Sequence, residues 1–376
     1  MNGAGAEPRP RPSAALLAAA VALGLRILYS AAAALATPHL SLDPRLIQSN
    51  ALTDHLMQRS EGWRYAFLGV WERFDTLWYL RIAERGYDRP DAVVFFPLYP
   101  LLIRGARYLL GNPLGAALAV STLSSFFFFW GLIALLRRDL PEESVRRAVA
   151  ACAVWPASFV CFAGYPESLL LALVVWSVHF ARDGKWWLAG ICGLFGGLAK
   201  AAGLVVAVPL AVLAWRSRSI RALPAALCLL SPVAFAAVLS GSGQHLPSSA
   251  YPTYWSTELA FPWSTLFLSL REAVLRPDFV LILNLGALLV VLGLTLARRI
   301  RLEYTLYAIA AACFILAKRT DPLLQSTMRY LLMVFPVYPA LGLAVRDGKY
   351  FGAALVVALY ANALAFWIFL EWGLIV

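Results

Sequence analysis

The sequence predicts an all-α polytopic membrane protein, a bundle of about 11 transmembrane helices. Of its 376 residues, 61% are hydrophobic and only 14% are charged, and the mean hydropathy is +0.71. A soluble globular chain is roughly one quarter charged. Apolar runs of about 15 to 24 residues recur along the chain, separated by short clusters of Arg, Lys, Gly and Pro, as is typical of membrane-spanning helices.

The predicted spans follow from these runs in chain order. The first is too long for the roughly 7 to 15 residue core of a signal peptide, so we expect a retained span. Two others, 186–199 and 201–215, are too short to cross a core of about 30 Å, and we expect half-spanning helices that meet near Lys200. The full set is 14–36, 113–136, 147–163, 167–181, 186–199, 201–215, 222–240, 278–297, 302–317, 330–345 and 350–373.

The basic turns predict the orientation of the bundle. With the N-terminus inside, one alternation puts every short basic turn on the cytoplasmic side, as the positive-inside rule requires. The net charge of +11 therefore indicates membrane topology rather than nucleic-acid binding. The turns lie at 137–147, 182–185, 216–221, 298–301 and 346–349.

Two longer segments are expected outside, within one domain that covers 1–376. The segment 37–112 is dense in Arg, Asp, Glu, Trp and Tyr, and we interpret it as an external catalytic loop. Its stretch FFPLYPLLIR contains two prolines and predicts either an interfacial helix or a kinked hairpin. The segment 241–278 is rich in aromatic residues, which suits the lipid headgroup zone.

The stretch WERFDTLWYLRIAERGY carries the clearest chemistry. On a helix, Asp75, Trp78 and Tyr79 share one face. A carboxylate there can act as a general base toward a hydroxyl, and aromatic faces suit a sugar ring. The alternative is that Asp75 pairs with Arg73 or Arg81 and only holds the loop together.

Other charged residues allow two interpretations each. Lys200 interrupts an apolar run, where a charge costs a few kcal/mol, so it is either a phosphate ligand or a snorkelling lysine. Glu167 opens a span, where the helix dipole alone would favour it, or it holds acceptor hydroxyls or a basic residue. Arg329 is an interfacial anchor or a phosphate ligand. Arg81 and Arg85, on another face of their helix, are further candidates.

No pattern predicts a metal or a nucleotide cofactor. The four histidines have no ligand spacing, and the five cysteines contain no CxxC pair and are expected to be buried thiols. No glycine-rich phosphate loop is present, and the glycines of GICGLFGG are expected to permit close helix packing.

The motifs together resemble a known family. FDTLWYLRIAERGY followed by FFPLYPL resembles the PIG-V-like family, the GPI mannosyltransferase 2 family and its bacterial relatives, within the GT-C superfamily. Three further stretches also resemble it, in the expected order: WPASFVCFAGYPESLLL, KWWLAGICGLFGGLAKAAGLVV and STMRYLLMVFPVYPAL. Two positions depart from the pattern: Phe74 stands where Trp is common, and Lys200 stands where relatives tend to have Arg, which keeps the charge but loses the bidentate fork.

The resemblance implies a GT-C-like bundle with interfacial helices in the first external loop. It implies transfer of mannose from a polyprenyl-phosphate donor, without a nucleotide, to a lipid or glycan acceptor on the extracytoplasmic face. The bacterial plasma membrane is the expected location, or the endoplasmic reticulum membrane if the host is eukaryotic. Asp75 takes the position of the catalytic acidic residue. The substrate-binding residues expected around it are Arg73, Trp78, Tyr79, Arg81, Arg85, Tyr87, Phe96, Tyr99, Tyr165, Glu167, Lys200, Arg329 and Tyr330.

Three alternatives remain open at the level of sequence. A transporter or flippase of lipid-linked sugars would also explain broken helices and buried charge, although its charges should lie near mid-membrane. A non-catalytic subunit of a glycosylation complex would not need Asp75. Within enzymes, another hexose or a pentose could replace mannose, and both the acceptor and a partner subunit are unassigned.

Overall fold

The computed structural model describes residues 12–48, 52, 56–244, 250–298, 300–345 and 347–373. Parts of both external segments, and two positions in the basic turns, 299 and 346, lie outside the described residues. The α-helices in the described ranges are α1 Ala14–Ala36, α2 Pro44–Gln48, α3 Trp63–Phe67, α4 Asp75–Arg85, α5 Leu98–Leu110, α6 Pro113–Leu136, α7 Glu142–Ala153, α8 Glu167–Arg182, α9 Trp186–Ala199, α10 Ala207–Ser217, α11 Ser231–Gly241, α12 Ala250–Trp255, α13 Pro262–Leu275, α14 Phe279–Ala297, α15 Leu302–Ala317, α16 Thr327–Leu332, α17 Val337–Ala344 and α18 Gly348–Leu370.

The structure confirms a helical membrane protein. Among the described residues, five helices are long and apolar enough to cross a membrane, namely Ala14–His39, Pro113–Leu136, Ile220–Gly241, Phe279–Ala297 and Gly348–Leu370. Three shorter apolar helices follow the same pattern at Trp186–Ala199, Ala201–Ser217 and Leu302–Ala317. The predicted span 330–345 is divided between α16 and α17. The count of eleven spans and the GT-C-like bundle stay predictions.

Two local features differ from expectation. A short antiparallel ribbon pairs β1, Thr257–Leu259, with β2, Lys318–Thr320, in a chain for which no strand is predicted. The expectation of buried thiols holds for Cys152, Cys161 and Cys228 but is wrong for Cys313, whose side chain is exposed on α15. All five cysteines are free.

The chain reverses direction at Lys200. This residue has extended backbone (φ −164°, ψ 148°) between α9 and the 3-10 segment Ala201–Val206, so the break predicted between the two short helices is confirmed. A Cβ added at Gly203 would lie 2.1 Å from the carbonyl oxygen of Gly196, so the two arms touch backbone to backbone. One face of α9 packs equally closely on 220–231, since Cβ atoms at Gly190 and Gly197 would lie within about 2 Å of it.

Described residues from four of the predicted basic turns meet in one cluster of ion pairs. Arg182, at the last residue of α8, contacts Asp139 at 2.5 Å, and Arg301 contacts the same carboxylate at 3.2 Å. Arg216 pairs with the buried Glu303 at 2.9 Å. Glu167 begins α8, so it lies about 24 Å from this ion cluster, at the other end of a 16-residue helix.

Candidate active site

The segment before α4 is fixed to the end of α18. Trp71 is fully buried, with its ring centroid 5.5 Å from that of Phe366. The Arg73 guanidinium is 2% exposed and donates from Nε to the carbonyl of Leu370 at 3.0 Å. These contacts set where α4 begins, and its first residue is Asp75.

The backbone is strained at the residue that precedes α4 and at several other non-glycine positions. Phe74, directly before Asp75, has φ 46° and ψ −119° without being a glycine. Ser256, Leu324 and Ser326 also have positive φ, at 43°, 58° and 60°. Such conformations cost of order 1 to 3 kcal/mol each and are typical of functional sites, because only a well-packed surrounding structure can hold them.

The GYPES stretch packs directly on α4. A Cβ added at Gly164 would lie 2.5 Å from the side chain of Thr76, so only glycine allows this approach. Thr76 is fully buried in the contact. The following residues, Tyr165 and Glu167, are thereby placed beside the start of α4, about 90 residues away in sequence.

Four charged side chains form a chain of ion pairs here. Arg329 donates from Nη1 to Oδ2 of Asp75 at 2.7 Å, and its Nε lies 3.4 Å from Oε1 of Glu167. The same Glu167 oxygen accepts a hydrogen bond of 2.5 Å from Nζ of Lys200. The two carboxylates and two cations balance in formal charge.

The four side chains of these ion pairs are largely buried. The Glu167 side chain is fully buried, and those of Arg329 and Asp75 are 10% and 20% exposed. Burial disfavours a charged Arg329, but the carboxylates of Asp75 and Glu167 outweigh it and hold the pKa of that guanidinium well above its usual range. Arg329 therefore stays charged and orients both carboxylates.

Asp75 does not pair with its local arginines. Arg73 binds backbone carbonyls, and Arg81 pairs with Asp88 at 2.7 Å. The partner that the structure gives Asp75 instead, Arg329, lies 254 positions along the chain. The ion pair is therefore a tertiary contact that joins the segment 37–112 to α16.

A cavity of about 440 Å³ opens beside the ion-pair chain. Residues of the segments 37–112 and 241–278 and of the region 314–330 line it, so the fold brings together parts of the chain that are far apart in sequence. The lining comprises Phe74, Asp75, Tyr79, Val94, Phe95, Phe96, Tyr165, Lys200, Ala201, Tyr251, Trp255, Thr257, Leu259, Phe314, Ala317, Lys318, Thr320, Gln325, Ser326, Arg329 and Tyr330.

Aromatic rings form one wall of this cavity. Phe95 lies over Trp78 in a stacked pair, with centroids 5.4 Å apart, and meets Tyr79 edge to face at 5.2 Å. Trp255 of the second external segment packs on Phe95 and donates from Nε1 to the carbonyl of Asp91 at 3.1 Å. This wall offers flat apolar faces of the kind that pack on sugar rings.

Tyr330, which also lines the cavity, lies among three cations. Its ring centroid is 4.7 Å from Nζ of Lys200, 5.0 Å from Nζ of Lys318 and 5.6 Å from Cζ of Arg329. Its hydroxyl accepts a hydrogen bond of 2.9 Å from Lys318. Lys318 is not among the residues predicted from the sequence, because it follows an apolar span as many interfacial lysines do. Its pairing with β1 identifies it as a strand residue.

The predicted site residues fall into two groups. Seven line the cavity in addition to Asp75 or contact its ion pairs: Tyr79, Phe96, Tyr165, Glu167, Lys200, Arg329 and Tyr330. The others lie away from its surface. Trp78, Tyr87 and Tyr99 are buried behind the aromatic wall, Arg73 is buried under α18, and Arg81 and Arg85 lie on the outer side of α4. Contact of this second group with substrate stays a prediction.

No metal centre is apparent in the part of the chain that the structure describes. No group of three His, Cys, Asp or Glu side chains there could hold a metal ion. The cations around Tyr330 instead provide fixed positive charge beside an aromatic wall and a carboxylate.

Comparisons with known proteins give one group of relatives. The chain is 29% identical over 174 residues to "GPI alpha-1,6-mannosyltransferase 2" of Rattus norvegicus, and 28% identical to the proteins of the same name in Mus musculus and Cricetulus griseus. The match covers 43% of this chain and 34% of the rat protein, so it spans about a third of the length of these relatives. No family model matches the chain, and no solved structure matches it significantly. The similarity confirms, over this part of the chain, the resemblance to the PIG-V-like family of GPI mannosyltransferases.

Proposed function

We propose that this protein is a membrane mannosyltransferase that moves a sugar from a polyprenyl-phosphate donor to a lipid or glycan acceptor on the extracytoplasmic face. The single observation that carries the proposal is the juxtaposition of Asp75 with a cation-lined, aromatic-walled cavity. The similarity to GPI mannosyltransferases supports the choice of mannose.

In the proposed reaction Asp75 acts on the acceptor, and the cations near Tyr330 act on the donor phosphate. An acceptor hydroxyl attacks the anomeric carbon of the donor and loses its proton to Asp75. The bond from that carbon to the phosphate oxygen breaks, and the electron pair stays on the phosphate. Cations near Tyr330 stabilise the negative charge that develops there, and because they are preorganised in a dry site their effect is large.

The charge distribution favours an enzyme over a flippase. The ion-pair chain lies at the end of α8 opposite the cluster of basic turns, rather than near mid-helix as expected for a transport pathway. Aromatic rings and cations that line one cavity also suit a sugar phosphate. The donor, the acceptor and the orientation in the membrane belong to the proposal.

Asp75→Asn tests the proposed base. The substituted amide keeps the size of the side chain but cannot accept the proton, so we expect loss of transfer by at least about 100-fold with folding intact. The assay incubates purified protein with radiolabelled polyprenyl-phosphate mannose and host membrane lipids. Asp88→Asn, in the same loop but paired with Arg81 away from the cavity, should keep its activity.

Two results would overturn the assignment. Substantial turnover by the Asp75→Asn protein would exclude that carboxylate as the base. Labelling that finds position 75 on the cytosolic side would remove the extracytoplasmic site altogether.

A further inference from the structure

We propose that Lys318 is the main phosphate ligand of the cavity and that it binds the phosphate of a lipid-borne substrate. The inference deepens the proposed function and rests on it for the identity of the substrate. The charges that surround the cavity, which the sequence did not reveal, single out this lysine.

The two cations that sequence reasoning assigned to phosphate are already neutralised. Lys200 is bound to Glu167 at 2.5 Å, and Arg329 is bound to Asp75 at 2.7 Å. A phosphate that approached either cation would meet the adjacent carboxylate, which repels it. Breaking such a buried pair is also strongly unfavourable, since it leaves an uncompensated charge.

Lys318 is the cation that remains. Within the described part of the chain, no carboxylate lies in ion-pair distance of its ammonium group, which donates one hydrogen bond to the Tyr330 hydroxyl. An ammonium has three donors, so two remain for a ligand. With the Tyr330 phenol in its neutral form, the three cations and two carboxylates of the site carry a formal charge of +1, and the cation without a carboxylate partner among the described residues is Lys318.

Strand geometry aims this lysine into the cavity. Alternate residues of a strand point to opposite faces, and Lys318 and Thr320 of β2 both line the cavity. Arg319, between them, points away and pairs with Glu258 of β1. The ribbon between β1 and β2 thus holds one basic side chain inward and the next one outward.

The phosphate would share one cavity with the proposed base. Lys318, Asp75 and the aromatic wall all border the same 440 Å³ space, so one ligand can contact all three. A phosphate bound by Lys318 would place its sugar toward the aromatic rings, and its lipid would leave through the open side of the cavity.

Binding of farnesyl phosphate, a short polyprenyl phosphate, tests the inference without sugar or acceptor. Titration of the purified full chain, followed by tryptophan fluorescence, should show binding that Lys318→Gln weakens about tenfold or more. Lys318→Arg should restore most of it because it keeps the charge. Arg319→Gln, the neighbouring change on the other strand face, should leave binding unchanged.

Farnesol, which lacks the charge, and inorganic phosphate, which lacks the lipid, provide the results that would contradict the inference. Farnesol should bind more weakly than farnesyl phosphate and be insensitive to Lys318→Gln; equal losses for both ligands would mean that the lysine only shapes the cavity. Inorganic phosphate that binds as tightly as farnesyl phosphate would overturn the lipid-borne assignment. Full farnesyl phosphate binding by a folded Lys318→Gln protein would overturn the inference itself.

This test is independent of catalysis. The proposed function would fail if the Asp75→Asn protein still transferred mannose, or if the wild-type protein transferred none, while binding of farnesyl phosphate still depended on Lys318. Failure of the inference would appear as unaltered binding by Lys318→Gln in a protein whose transfer still depends on Asp75.

Discussion

The reversal of the chain at Lys200 depends on Gly203, and Gly203→Ala is the sharpest test of the site geometry. The new Cβ would lie 2.1 Å from the carbonyl oxygen of Gly196, whereas real Cβ contacts start at about 3.0 Å. The three atoms nearest to this Cβ, in Gly196 and Gly197, all belong to the backbone, so no side chain can rotate to relieve the contact. The two arms must therefore separate by about 1 Å.

That displacement would act directly on Lys200. The Gly196 carbonyl accepts the hydrogen bond from the Lys200 amide at 3.2 Å, and the Lys200 carbonyl accepts from the Gly203 amide at 2.8 Å. Overpacking of this kind costs typically about 1 to 3 kcal/mol. A shift of about 1 Å in a positioning element can cost about 100-fold in rate.

Two measurements check this expectation. Unfolding of the purified protein in an SDS titration should show a free energy of unfolding lower by about 1 to 3 kcal/mol, and transfer should fall by about 10-fold to 100-fold. Gly293→Ala on α14 is the matched control, because its Cβ would meet no atom within 4 Å. Wild-type stability and rate in the Gly203→Ala protein would refute the close approach of the two arms.

The remaining predictions concern two buried arginines. Arg329→Met leaves Asp75 without its cation and removes one of the two cations beside Glu167, so it should lower the free energy of unfolding by about 3 to 5 kcal/mol. Arg329→Lys should lower it less. An SDS titration that finds the Met variant as stable as the wild type would contradict this. Arg73→Met removes the guanidinium that binds Leu370 and should cost about 1.5 to 3 kcal/mol in the same titration. Arg85→Met, at an exposed position of the same loop, should change it by less than about 0.5 kcal/mol, and equal effects of the two would argue against the anchoring role of Arg73.

Much of the architecture could be predicted because hydropathy and charge act locally along the chain. Long apolar runs must be helical in lipid, so the predicted runs 14–36, 113–136 and 278–297 appear with bounds within one residue of those observed. The helix break at Lys200 was predictable for the same reason, since a charge does not sit comfortably inside an apolar helix. Asp75 was found through its aromatic neighbours and the family resemblance.

The site itself depended on contacts between distant segments. Composition gives no information on whether Asp75 pairs with a neighbouring arginine or with Arg329, because both offer the same charge and only packing selects one. Lys318 was overlooked for a related reason: a lysine after an apolar run looks like an interfacial anchor until a strand partner fixes its direction.

The amino-acid sequence by itself therefore determined that this protein is a helical membrane protein, where several of its long helices run, and which acidic residue to examine. Tertiary structure decided which cations are neutralised, which one is left for a ligand, and which aromatic rings face the cavity. The physical reason is the sequence distance over which each property acts. Hydrophobic periodicity is visible within one helical turn or one span. The charge balance of a buried site depends on residues that are far apart in sequence and that only the fold brings within a few ångströms of one another.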